Sequence, residues 1–243
     1  MRVMIPLPDT DFDVTEVAVP WRLLRDAGHE VVFATERGAA APAADPRLLD
    51  GVLFGQLGAE PEPIAFYREL LGHAAYRAPL PWGSLDMTTF DGLLLAGGHA
   101  PGMRPYLESE RVQAIAAAAF QANKPVSAIC HGVIPLVRAK GSDGRALLYG
   151  RRTTALTGGM ENFAVSITRQ ALGNHYRTYP QSVEDEVRAN LAKKSDFKTG
   201  PLFPRYATET KPDRGFVVRD GNYISARWPG DAWTLATAFC RMV

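Results

Sequence analysis

The amino-acid sequence predicts an α/β protein, a mostly parallel sheet with covering helices and one inserted segment. Three observations carry that expectation. Residues 1–35 alternate an apolar strand, a helix and a β-branched strand. Two more apolar runs, 90–96 and 125–129, each end in glycine or a Cys-His-Gly turn and are each followed by a helical stretch. Residues 36–88 break this rhythm with Ala-Pro, Pro-Glu-Pro and Pro-Leu-Pro-Trp sequences. Parallel strands need crossover connections, usually helices, and the first two observations supply them. A chain of 243 residues can bury its core as one large domain. The expectation is a single domain over 1–243, with 36–88 inserted as a cap or lid.

The elements follow in order. Residues 2–7 form the first strand and 15–27 the first helix, with Pro20 placed to kink it. Gly28 stands where a helix C-cap glycine belongs, and 30–34 is the second strand. Within the insertion, 64–71 is amphipathic. The run 90–96 leads into Gly97-Gly98-His99, a helix spans 108–123, and 125–129 runs into Cys130-His131-Gly132 with a helix from 133 to 140. A strand is expected over 152–156. Ser182-Val183-Glu184-Asp185 resembles a capping box that opens a helix to 191. Asp220-Gly221-Asn222 turns a hairpin between 216–219 and 223–227, and Pro229-Gly230-Asp231 leads into a last helix to 242.

Composition narrows the function classes. The chain is 46% hydrophobic and 22% charged with a formal net charge of +1, which offers no electrostatic footprint for nucleic acid or an acidic membrane. No apolar run approaches the roughly 18 residues that cross a bilayer. The N-terminus reads as a strand and turn rather than a signal peptide. Two cysteines, Cys130 and Cys240, make no disulfide framework. Both are expected as free thiols, which makes the cytoplasm the default compartment.

The chemistry concentrates at Val126-Ser127-Ala128-Ile129-Cys130-His131-Gly132. An apolar strand ends at a cysteine, and a glycine two positions on lets a helix start abruptly. This is the logic of a nucleophile elbow, which lifts the sulfur to the carboxyl edge of the sheet where open α/β folds bind ligands. The helix N-terminus is expected to favour thiolate. Gly97-Gly98 lies one β-α unit earlier, where bare N–H groups can face a developing oxyanion. Glu16, in the first helical turn, faces the same sheet edge. It is open to two readings, a proton shuttle for Cys130 or a solvent-exposed glutamate favouring the helix dipole. The His131 side chain is expected to diverge from the sulfur while approaching a bound substrate. His29, His73, His99 and His175 show no metal spacing, and HExxH, CxxC, GxGxxG, P-loop and GxSxG patterns are absent.

These stretches resemble the ThiJ/PfpI superfamily, with its doubly wound, flavodoxin-like fold of the class I glutamine amidotransferase type. The resemblance rests on Thr15-Glu16-Val17 with Ala27-Gly28-His29-Glu30-Val31, on Phe90-Asp91-Gly92 through His99, on Ala128-Ile129-Cys130-His131-Gly132, and on Asp220-Gly221-Asn222 through Asp231. Length and the insertion resemble its glyoxalase III and holding-chaperone branch. The resemblance implies Cys130 as nucleophile, Glu16 as the carboxyl group bonded to its sulfur and His131 as acid-base partner. It also implies an oxyanion hole from the N–H groups of Gly98 and His131. The implied reaction converts a 2-oxoaldehyde into a 2-hydroxy acid with no cofactor or metal. Two rival readings use the same cysteine, an amide or nitrile-type hydrolase and a redox-responsive stress chaperone. The implied partners are a small-molecule substrate and a second copy of the chain, with neither nucleic acid nor membrane. Two departures stand out. Residues 153–159 hold no carboxylate to orient His131, Glu161 being the nearest, and His175 is followed by Tyr176-Arg177 where amidotransferases carry His-x-Glu.

Overall fold

The computed structural model describes residues 1–52 and 58–243. The apolar run Arg2–Pro6 forms β1, and after the short β2 (Thr10–Phe12) the chain enters α1 (Val14–Asp26). Asp13 caps that helix, its Oδ1 accepting from the N–H groups of Thr15 at 2.8 Å and Glu16 at 3.1 Å. The helix continues through Pro20 and stops at Gly28, whose φ of +80° is the left-handed C-cap expected there. β3 (Glu30–Thr35) then pairs in parallel with β1.

The segment 36–88 carries β4 (Ala43–Ala44), α2 (Pro46–Asp50), α3 (Pro61–Leu71), α4 (Ala74–Arg77) and β5 (Leu80–Pro81). β4 pairs with β2, β5 is an edge strand of the main sheet against β3, and α3 packs on α1. The core resumes with β6 (Gly92–Leu95), α5 (Arg104–Glu108), α6 (Glu110–Gln121) and β7 (Val126–Ile129). A 3-10 turn, Cys130–Val133, joins β7 to α7 (Ile134–Arg138). α8 (Gly158–Leu172), α9 (Val183–Ala189), the hairpin β8 (Val217–Asp220) and β9 (Tyr223–Ala226), and α10 (Ala232–Cys240) complete the chain. Ser182 Oγ accepts from Asp185 N–H at 3.1 Å, so the capping box opens α9 as its sequence implies.

The main sheet runs β5-β3-β1-β6-β7-β9-β8, parallel throughout except for the β8–β9 hairpin. Helices cover both faces, with α1, α3 and α10 packed together and α6 packed against β6, β7 and α7. The central strands β1, β6 and β7 are buried almost end to end, as parallel strands between two helical layers must be.

Among the differences from the sequence reading, β5 from the inserted segment joins the main sheet, and two others lie in the second half of the chain. Residues 152–156 form no strand, and Thr153 makes a single bridge to Phe197. Both flanks of β9 are already taken, by β7 and β8, so this segment attaches through side chains instead. Thr153 Oγ1 lies 2.8 Å from Tyr223 Oη, and Thr154 N–H donates to Ser225 Oγ at 2.9 Å. The helix α8 has no counterpart in the sequence reading. Its opening Gly158-Gly159 looks like a turn, and its buried positions, Glu161, Val165 and Thr168, are too polar to show a helical stripe.

Candidate active site

The carboxyl ends of β6 and β7 bring the predicted residues together. Cys130 ends β7 with φ at +57°, a left-handed conformation rare outside glycine. Such strain is the mark of an elbow that over-determined packing holds in place. Packing here is tight. A Cβ on Gly132 would strike the Leu95 carbonyl, and one on Gly97 would lie 2.7 Å from His131 N and 2.9 Å from Glu16 Oε2. Only glycine fits at either position.

Glu16 is fully buried. Its Oε2 accepts from Gly97 N–H at 2.8 Å, while Gly97 O accepts from Asp13 N–H at 2.8 Å. The helix start and the β6 loop are thereby joined at two points. Glu16 is thus not the exposed helix-dipole residue of one sequence reading. Its other oxygen, Oε1, is buried without a hydrogen-bond partner among the described residues. Burial pushes the Glu16 carboxyl well above the usual range, the neighbouring Asp13 adds to the effect, and the nearby Cys130 thiol lowers the carboxyl's pKa against it.

The His131 side chain does not diverge from the sulfur. Its Nδ1 lies 3.5 Å from Cys130 Sγ, because the left-handed Cys130 turns both side chains to the same side of the elbow. Burial, with His99 and Arg138 nearby, holds the imidazole well below its usual pKa and therefore neutral. A neutral imidazole can accept the thiol proton. Its Nε2 is buried without a partner. Glu161 does not supply one, since its Oε2 accepts from Val183 N–H at 3.0 Å and its Oε1 faces Arg177 at 3.4 Å. Among the described residues the arrangement is a Cys-His pair beside a carboxyl group, without a Cys-His-acid triad.

The thiolate expectation needs correcting. Burial pushes the Cys130 thiol well above its ordinary value, and Glu16 and Asp13 push it further, against the opposing pull of the His131 N–H. The helix that follows is one 3-10 turn and five α-helical residues, too short for a strong dipole, and the sulfur sits in a residue 1% exposed. The raised thiol pKa favours the protonated form at rest, so a proton must leave as the sulfur attacks.

Three features had no signal in the sequence reading. Asp13 has no part in that reading, yet it is buried, and burial lifts its carboxyl to about 7. His99, after Gly98 at the end of β6, packs edge-on against His131 with ring centroids 4.9 Å apart. Burial and the Arg177 charge lower its pKa to about 4, so it too is neutral. The segment beyond α8 closes over it, with Tyr176 edge-on to His99 and Tyr176 Oη donating to the buried Asp45 at 3.0 Å. Donor atoms of His99, Cys130 and His131 all lie within 4.8 Å of one another. Folding thus assembles a His-Cys-His set that suits a soft divalent ion, although no ligand spacing is visible along the chain.

Outside this cluster, a cavity of about 730 Å³ ends on Asp13, Thr15 and His99 and extends along α8 toward Trp228 and Trp233. Among the described residues, no helix is long and apolar enough to cross a membrane.

Comparison with known proteins converges with this geometry. A deglycase from Pyrococcus abyssi is 26% identical across 100% of this chain and 99% of its own length. A glutathione-independent glyoxalase from Schizosaccharomyces pombe is 26% identical over 60% of this chain. The chain spans 55% and 59% of the lengths of two fission-yeast relatives that it matches. The crystal structure of glyoxalase III from Candida albicans superposes with a TM-score of 0.69 at 20% identity, covering 100% of this chain and 97% of that one. The profile described as ThiJ/PfpI family-like matches residues 7–201. With the doubly wound sheet, the glycine-locked elbow and a profile match over most of the sequence in hand, the chain belongs to the ThiJ/PfpI family.

Proposed function

We propose that this protein is a cysteine-dependent, cofactor-independent enzyme that converts 2-oxoaldehydes into 2-hydroxy acids. The observation that carries the reading is the convergence of Cys130 Sγ, a neutral His131 Nδ1 at 3.5 Å and the buried Glu16 carboxyl on one strained elbow. The names of the Pyrococcus and fission-yeast relatives support carbonyl chemistry of this kind.

The sulfur adds to the aldehyde carbon as its proton passes to His131, giving a thiohemiacetal. The N–H groups of His131 and Gly98 hold the developing oxyanion. The hydrogen on that carbon leaves as a proton and returns to the adjacent carbon through an enediol, with the His131 and Glu16 side chains carrying protons. One carbon is oxidised and its neighbour reduced within the same molecule, so the reaction needs no external electron acceptor. Water then cleaves the thioester, releasing the 2-hydroxy acid and restoring the thiol.

A deglycase uses the same addition of sulfur to a carbonyl-derived carbon, and the name of the Pyrococcus relative favours that second reading. The test is turnover of methylglyoxal and phenylglyoxal, with the 2-hydroxy acids quantified by chromatography. Cys130→Ser should lower kcat/KM by at least about 10³-fold, the scale on which removal of a nucleophile acts. Equal turnover by wild type and Cys130→Ser would overturn the reading.

A further inference from the structure

The cavity beside the elbow is far larger than a three-carbon aldehyde requires. Pockets of roughly 300–1,000 Å³ enclose drug-sized ligands, and this one measures about 730 Å³. Its floor, Asp13 and His99, adjoins the catalytic cluster through the Asp13–Gly97 hydrogen bond and the His99–His131 contact. A carbonyl group at that floor would therefore place the rest of its molecule along α8.

The walls are aromatic and apolar, with Phe163 on α8, Trp233, and Tyr206 packed on Trp228 with ring centroids 4.6 Å apart. Phe163 is 65% exposed and Tyr206 45% exposed. Large apolar groups left in water beside a cavity gain burial only when something fills it. The charge pattern is one-sided. Asp13, Glu60 and Glu62 line the cavity, and among the described lining residues there is no lysine or arginine. An anionic ligand would touch three carboxyl groups and no basic side chain of the described lining, while Arg177 behind His99 is paired with Glu161.

We propose that the cavity selects neutral 2-oxoaldehydes bearing an aryl substituent, and that it discriminates against anionic ones. The catalytic half of this proposal rests on the reaction proposed above; the binding half does not. The aryl ring stacks among the wall aromatics, where burial beyond the methyl group of methylglyoxal raises kcat/KM by roughly 10- to 100-fold.

The test has two arms. In the first, kcat/KM is measured for methylglyoxal, phenylglyoxal and 4-carboxyphenylglyoxal, on wild type and on Ala164→Trp, which fills the cavity from α8. Phenylglyoxal should be preferred over both others by at least about tenfold in wild type, and Ala164→Trp should collapse its advantage over methylglyoxal. In the second, isothermal titration follows binding of acetophenone and benzoate, neither of which carries an aldehyde. Acetophenone should bind wild type, and its affinity should fall at least tenfold in Ala164→Trp; benzoate should not bind. Circular dichroism of the variant checks that it is folded, and the wild-type comparisons stand without it. Acetophenone binding with no dicarbonyl turnover would refute the proposed reaction and leave the cavity assignment standing. Benzoate binding as tightly as acetophenone, or methylglyoxal turned over as well as phenylglyoxal, would overturn the proposal.

Discussion

Glu16 touches both halves of the site at the scale of single atoms. One carboxyl oxygen accepts from Gly97 N–H at 2.8 Å and so positions the β6 loop, while the carboxyl adds to burial in raising the pKa of the Cys130 thiol. Glu16→Gln keeps the acceptor and the shape but removes the ionisable proton. Turnover of a 2-oxoaldehyde should fall by roughly 10²–10⁴-fold, the usual worth of an acid-base group. Cys130 should still react with an alkylating agent, read by intact mass. Unchanged turnover would leave Glu16 only as the partner of Gly97. Gly132 makes a second test at this scale. Gly132→Ala forces a Cβ against the Leu95 carbonyl, a backbone atom that cannot step aside. We expect a loss of about 1–3 kcal/mol in urea unfolding, and the displaced elbow should lower turnover as well.

Among the elements, the end of β9 and the start of α10 are tied by a buried ion pair. Asp231 accepts from Arg227 Nε at 2.9 Å and Nη2 at 3.1 Å, and also from Phe216 N–H at 2.8 Å. The side chains are 2% and 0% exposed. Arg227 reaches on to the carbonyls of Thr199 and Pro201, which lead toward the cavity wall at Tyr206. Asp231→Ala leaves a guanidinium buried without a counter-charge. The expected loss is about 3–5 kcal/mol in urea unfolding, and a loss under about 1 kcal/mol would mean that water replaces the partner. At the other edge of the site, Arg138 anchors the short α7 to α9 through Glu186 at 2.7 Å.

For the molecule as a whole, buried groups pull the pH dependence in two directions, the Asp13 and Glu16 carboxyls favouring low pH and the neutral His99 and His131 favouring high pH. Burial raises Asp13 from 3.8 to about 7 and Glu16 in the same direction. Between about pH 4 and pH 7 these two carboxyl groups therefore hold protons in the folded chain that they have released in the unfolded one. Stability falls with rising pH wherever the native state binds more protons. The contribution of Asp13 is complete below pH 3.8 and is lost as pH rises through about 7. Asp13→Asn keeps a capping oxygen without the titration. Its stability relative to wild type should improve between pH 4.5 and pH 8, measured by urea unfolding at both values. A constant difference across that interval would show that Asp13 is ionised in the folded protein at both.

The local signals in the chain were enough for β1, β3, β6, β7 and the β8–β9 hairpin, and for the turn that carries Cys130. Each depends on neighbours in sequence, such as an apolar run that ends at Cys130-His131-Gly132 or a capping residue ahead of a helix. Glu16 and Gly98 could be named from the same logic, because parallel strands put successive loops at one sheet edge. Other features depended on distant contacts. Residues 152–156 lost their strand because β9 had no free edge, and α8 was hidden by its polar buried face. The protonation of the site and the acidic aromatic cavity, whose described lining holds no lysine or arginine, arise from packing among residues far apart in sequence, and the nearness of His131 to the sulfur follows from the left-handed Cys130 that this packing holds. Desolvation and cavity shape are properties of the enclosed volume rather than of any segment, so only the tertiary structure could decide them.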